Sequence, residues 1–133
     1  MHFKLSERLA GTGIAGLAAL TAAQWLRDTV TDPGPITAFT LGVLPNLTAA
    51  FAMPLILASF SDRTSGTPVS PAIRLAYIRV LLFTTSGLCG WELMQTQMQG
   101  FVFDVYDLFA TGLGSMLAYR AFVWHLQLMT RRP

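Results

Sequence analysis

The sequence predicts an all-α integral membrane bundle of four transmembrane helices with both termini cytoplasmic, and three observations predict it. Hydrophobic residues make up 53% of the chain and charged residues only 12%, about half the roughly 25% charged fraction of a soluble domain. The apolar residues fall into runs of bilayer-crossing length. Lys and Arg gather on one side of those runs. At 133 residues, with no internal boundary in composition, a single membrane domain spanning 1–133 is expected.

The first span is 9–26, Leu9 to Leu26, 18 residues without a charge, close to the roughly 20 that a helix needs to cross about 30 Å of hydrocarbon. A rival reading takes Met1 to Ala23 as a secretory leader, because Lys4 and Arg8 precede an apolar run ending in small residues. The second span is the uncharged run 36–60, closed by Ser61-Asp62-Arg63 and the turn-rich TSGTPVSP. The third, 72–94, has 12 uncharged residues between Arg79 and Glu92; Arg74 and Arg79 sit at its end, where long stems snorkel to the headgroups. The fourth, 104–124, mirrors it with 12 uncharged residues between Asp107 and Arg120. Together the last two spans predict an antiparallel hairpin.

Orientation follows from the basic residues, which favour cytoplasmic loops. Lys4, Arg8, Arg63, Arg74, Arg79, Arg120, Arg131 and Arg132 fall on one side and Arg27 alone on the other. Both termini are therefore expected inside, as an even number of spans permits. Trp25, Trp91 and Trp124 lie near span ends, where an amphipathic ring favours the headgroup layer.

Helices in lipid associate by close backbone approach, so small residues mark packing faces. Ala15, Ala19 and Ala23 form such a stripe on the first span, and Thr111, Gly114, Ser115 and Ala118 form another on the fourth. Pro45 and Pro54 each remove a backbone hydrogen bond from the second span, and Asn46 is expected to satisfy a freed carbonyl. Asn46-Leu47-Thr48 matches a glycosylation acceptor, but at membrane depth it is out of reach.

Three acids stand out against this background: Glu92, Asp104 and Asp107, with no base after Arg79 until Arg120. Glu92 and Gln95 share a helix face. Asp104, Asp107, Thr111, Gly114 and Ala118 follow a 3-4-3-4 spacing that puts them on one face of the fourth span. In an antiparallel hairpin the carboxylates and Gln95 converge near the outer leaflet. Carboxylates in such a position are costly and suggest function; the plainer reading is that Asp104 caps the fourth helix.

The order Glu92-Leu93-Met94-Gln95, then Asp104, Asp107, Leu108, Ala110 and Gly114, resembles the signature of the VanZ-like family of small polytopic bacterial membrane proteins associated with teicoplanin resistance. The resemblance implies four spans and covers about a fifth of the chain, residues 92–118. Where the family pattern has an arginine this chain has Phe101, its asparagine is Thr111, and its second glycine is Ala118. Without that arginine, either some of the acids stay protonated or their partner comes from outside the hairpin.

The remaining chemistry is sparse. The single Cys89 excludes an internal disulfide and reads as a small apolar residue. His2 and His125 read as interfacial polar residues, with no second ligand three or four residues away; ligation of pigment or haem by His125 is not expected, nor is any cofactor or metal, although a bound lipid is compatible with the chain. Scattered basic residues and a net charge of +2 exclude a nucleic-acid footprint. No nucleophile with an adjacent base and no nucleotide loop is visible, so no enzyme is expected. The leading expectation is a non-enzymatic accessory or assembly subunit of the bacterial inner membrane, packed through its small-residue faces into a hetero-oligomeric complex with other membrane proteins and lipids. The alternative is an envelope protein whose outer-leaflet carboxylates, with Gln95 and Thr111, engage a lipid-linked or glycan ligand. A proton or ion pathway ranks below both, because the middle of the third span, VLLFTTSGLCG, offers only small hydroxyls.

Overall fold

The computed structural model describes residues 4–61, 71–97 and 104–130. They form four helices: α1 (Leu5–Thr29), α2 (Pro35–Ser59), α3 (Pro71–Gln95) and α4 (Val105–Thr130). Each helix encloses or closely matches an expected span. α1 begins earlier than its uncharged run because the Glu7 carboxylate accepts the Lys4 backbone N–H at 2.9 Å and closes the first turn. α2 starts on Pro35, whose fixed φ and missing N–H suit a first helical position. α1, α2 and α3 are long and apolar enough to cross a membrane. α4 is as long, at 26 residues, but Asp107, Arg120, His125 and Gln127 make it less apolar than the other three.

The chain runs up and down, which two groups of contacts establish. At one end Leu5 and Leu9 of α1 meet Leu55 and Ala58 of α2, Ile73 and Tyr77 of α3, and Phe122 and Leu126 of α4 in one apolar cluster. There the Tyr77 and Phe122 rings stack at 3.9 Å with only 1° between their planes. At the other end the last turn of α1, the first half of α2 and the start of α4 line a common cleft. α2 is the central helix, with α1 on one side, α4 on the other, and α3 lying against α2 and α4.

Glycine sets how closely α1 and α4 approach α2. A Cβ built on Gly13 would stand 2.5 Å from Cγ1 of Ile56, and one on Gly16 would stand 2.9 Å from Cβ of Ala52. On α4, a Cβ on Gly114 would run into the Leu47 carbonyl oxygen. The expected face of α4 is the packed one: Thr111, Gly114, Ser115 and Ala118 are all buried. Ser115 also ties α4 to α3 through a 2.7 Å hydroxyl contact with Thr85.

The expected stripe on α1 is not the packed one. Ala15 and Ala19 are exposed, and only Ala23 is buried, together with Leu9, Gly13 and Gly16. The reason is steric. Gly13 and Gly16 admit a backbone approach that alanine forbids, so the contact rotates onto the glycines and carries Ala15 and Ala19 round to the outside. Asn46 also departs from expectation: its amide does not serve a carbonyl freed by proline but reaches across to α3. In the turn around Pro45 it is Thr48 whose hydroxyl donates to backbone, to the Leu44 carbonyl at 2.8 Å.

Candidate functional site

At the end opposite the apolar cluster, three helices bring polar side chains together. Asn46 lies in the first half of α2, on the side turned toward α3 and α4. Its Nδ2 donates to Oε1 of Glu92 at 3.1 Å, and the same amide lies near enough to the Asp107 carboxylate to act on it electrostatically. One neutral amide therefore ties α2 to a carboxylate of α3 and stands beside a carboxylate of α4. Gln95, one turn beyond Glu92, adds a second, longer donation to Oε1 at 3.3 Å.

Glu92 is only 3% exposed. Both of its donors go to one oxygen, and Oε2 is buried without a hydrogen-bond partner. A buried carboxylate with an unfilled acceptor is costly, so such an atom invites a donor. Asp104 has a local job as well as a position: its Oδ1 accepts the Tyr106 backbone N–H at 2.9 Å, which is the N-cap geometry for α4. Asp107, in the first turn, is half-buried beside it.

Asp104 and Asp107 line an open cleft of about 370 Å³, whose walls also include Leu41 and Gly42 of α2 and Arg27 of α1. That volume falls within the roughly 300–1,000 Å³ of small-molecule sites. Arg27 is the basic residue that the acidic hairpin lacks in its own sequence. Its charge acts attractively on Asp107, yet among the described residues it forms no ion pair with either acid. The unlike charges face a common space without collapsing onto each other.

The expected site residues thus divide. Glu92, Gln95, Asp104 and Asp107 come together at one end. Thr111 does not join them: it is 0% exposed, one turn deeper in α4, with Oγ1 unpartnered inside the bundle. His125, expected at the interface, is 6% exposed and shares a 2.8 Å contact with the Thr12 hydroxyl. α4 continues to Thr130, so His125 lies within the bundle rather than at its edge. Phe101, His2, Arg63, Arg131 and Arg132 lie outside the described residues.

Sequence reasoning missed Arg27 and Asn46 as site residues. Each carried a signal: Arg27 is the lone base on the acidic side, and Asn46 is the one carboxamide in a 25-residue uncharged run. Among the described residues no three His, Cys, Asp or Glu side chains converge to hold a metal ion. Asp104 and Asp107 line the cleft, whereas Glu92 is buried and does not.

Fold and site together define a helical membrane protein with a mixed-charge cleft at one end of its bundle. No family model, curated protein or solved structure matches this chain.

Proposed function

We propose that the chain is a non-enzymatic, VanZ-like integral membrane protein whose carboxylate-lined cleft binds a cationic or hydrogen-bonding group of a lipid-linked or glycan envelope molecule. The observation that carries this reading is the cleft itself, with Asp104 and Asp107 on its wall and the Asn46–Glu92 pair behind them. Carboxylates are acceptors when ionised, so the group they hold is a donor. The resemblance of residues 92–118 to the VanZ-like pattern supports the same class of ligand.

In this reading α4 is a fourth span, both termini are cytoplasmic, and the cleft opens at the outer face of a bacterial cytoplasmic membrane. The even spacing of charges supports it, with Arg74, Arg79 and Arg120 at one end of the α3–α4 pair and Glu92, Asp104 and Asp107 at the other. Cysteines introduced at positions 63 and 98 are expected to react with a membrane-impermeant maleimide from opposite sides. Labelling of both from the same side would sink the topology.

The accessory-subunit reading loses ground on a specific observation. Thr111, Gly114, Ser115 and Ala118 are consumed by packing inside the bundle, so the face offered to a partner shrinks to Ala15 and Ala19 on α1. The function is tested by expressing Asp107→Asn and Glu92→Gln in cells that depend on this protein and measuring teicoplanin susceptibility. The expected result is a several-fold rise in susceptibility for each, in line with the loss of a charge-assisted contact worth roughly 1.5–3 kcal/mol. Unchanged susceptibility and envelope integrity in both variants would remove the reading.

A further inference from the structure

The cleft carries charge of both signs, and this goes beyond an acid-lined site. Arg27, in the last turn of α1, lines the same space as Asp104 and Asp107 at the start of α4. Among the described residues the guanidinium has no ion pair with either carboxylate. A salt bridge closed across the cleft would have filled it; held apart, the two walls present an anion-binding surface facing a cation-binding one. Behind the acidic wall, Asn46 donates to Glu92, which is 3% exposed and keeps Oε2 as an unfilled acceptor. Among the described residues, the ionisable groups on this wall are the Asp104 and Asp107 carboxylates, which accept hydrogen bonds.

We propose that the cleft selects a zwitterion with the chemistry of phosphoethanolamine, its primary ammonium on Asp104 and Asp107 and its phosphate on Arg27. This rests on the ligand-binding reading above and adds the identity of the ligand class. A primary ammonium brings three N–H donors to a wall that lacks them. A guanidinium matches phosphate with two parallel hydrogen bonds. A metal ion fits poorly, because the acids do not converge on a point. A purely anionic group would meet two carboxylates, and a purely cationic one would leave Arg27 facing it.

The test uses the full chain in detergent micelles and counts bound ligand by native mass spectrometry. Probes are short-chain phosphatidylethanolamine, phosphatidylcholine and phosphatidylglycerol, with free phosphoethanolamine and free ethanolamine. Phosphatidylethanolamine is expected to bind roughly tenfold tighter than the choline lipid, which has no N–H, and than the glycerol lipid, which has no cation. Arg27→Gln is expected to remove most of that preference and Arg27→Lys to keep most of it; Arg27 is exposed, so its substitution leaves the packing intact. Binding of free phosphoethanolamine as tight as that of the lipid supports the proposal with a soluble source, and binding of the lipid alone supports it with the bilayer as source. Equal binding of the three lipids to the unaltered protein overturns it. If ethanolamine binds as well as phosphoethanolamine, Asp107→Asn abolishes both and Arg27→Gln changes neither, the zwitterion is overturned while the carboxylate cleft survives. If Asp107→Asn leaves all binding unchanged, both readings fall.

Discussion

Asn46→Leu is expected to destabilise the bundle by about 2–3 kcal/mol, well above the roughly 0.6 kcal/mol of an average hydrogen bond between membrane helices. The excess comes from the acceptor. Glu92 is 3% exposed, and the amide at 3.1 Å is its shorter donor; without it the carboxylate keeps only the 3.3 Å contact from Gln95. The substitution also takes from Asp107 a polar neighbour on α2. Leaving one partner of a buried polar pair unmatched costs more than replacing both, so Asn46→Leu combined with Glu92→Leu is expected to recover most of the loss. Thermal unfolding in detergent, followed by circular dichroism across the four proteins of the cycle, measures the coupling directly. A coupling indistinguishable from zero would mean that the amide does not hold Glu92.

Gly114→Leu is expected to part α4 from α2, with a loss of about 3 kcal/mol or more, and Gly114→Ala with a loss of about 1–3 kcal/mol. The first atom of any side chain at this position meets the Leu47 carbonyl oxygen and lies 2.9 Å from Cβ of Ala50. The carbonyl is helix backbone, so it cannot swing aside as a flexible side chain does. Gly112 supplies the control on the same helix, since a Cβ there meets nothing within 4 Å. Gly112→Ala is therefore expected to be neutral or to stabilise by up to about 1 kcal/mol through helix propensity. The same unfolding assay decides it. Equal behaviour of the alanine variants at positions 112 and 114 would show that close approach is not what orders this interface.

The elements themselves were legible because crossing a bilayer demands uncharged length, and that demand is written along the chain. The run at 9–26 lies inside Leu5–Thr29, and 72–94 inside Pro71–Gln95. The packed face of α4 was legible too, since Asp107, Thr111, Gly114 and Ala118 recur at helical spacing with a polar start that fixes the side. α1 offered no such contrast. In a helix that is apolar all round, the face turned to lipid and the face turned to protein look alike, and the alanines at 15 and 19 compete with the glycines at 13 and 16 on composition alone. Only the shape of α2, with Ala52 and Ile56 at the crossing, selects the glycines.

The site was half legible for a related reason. Periodicity speaks of which residues share a face of one helix, so it assembled Glu92 with Gln95 and Asp104 with Asp107. It is silent on which other helix stands opposite. Asn46 is 46 residues from Glu92, and Arg27 reaches the cleft from yet another helix; both enter through the order of packing, with α2 in the middle. The acidic hairpin, with no base of its own between Arg79 and Arg120, thus faces Arg27 across the cleft.

The stacked Tyr77 and Phe122 rings lie at the far end from the cleft, about 22 Å along α4 from Asp107 by helical rise. α2 and α3 are tied at the cleft end as well, by the Asn46–Glu92 hydrogen bond. A change of ring bulk at positions 77 and 122 is expected to tilt the helices against that tie, so the two ends of the bundle adjust together rather than one at a time.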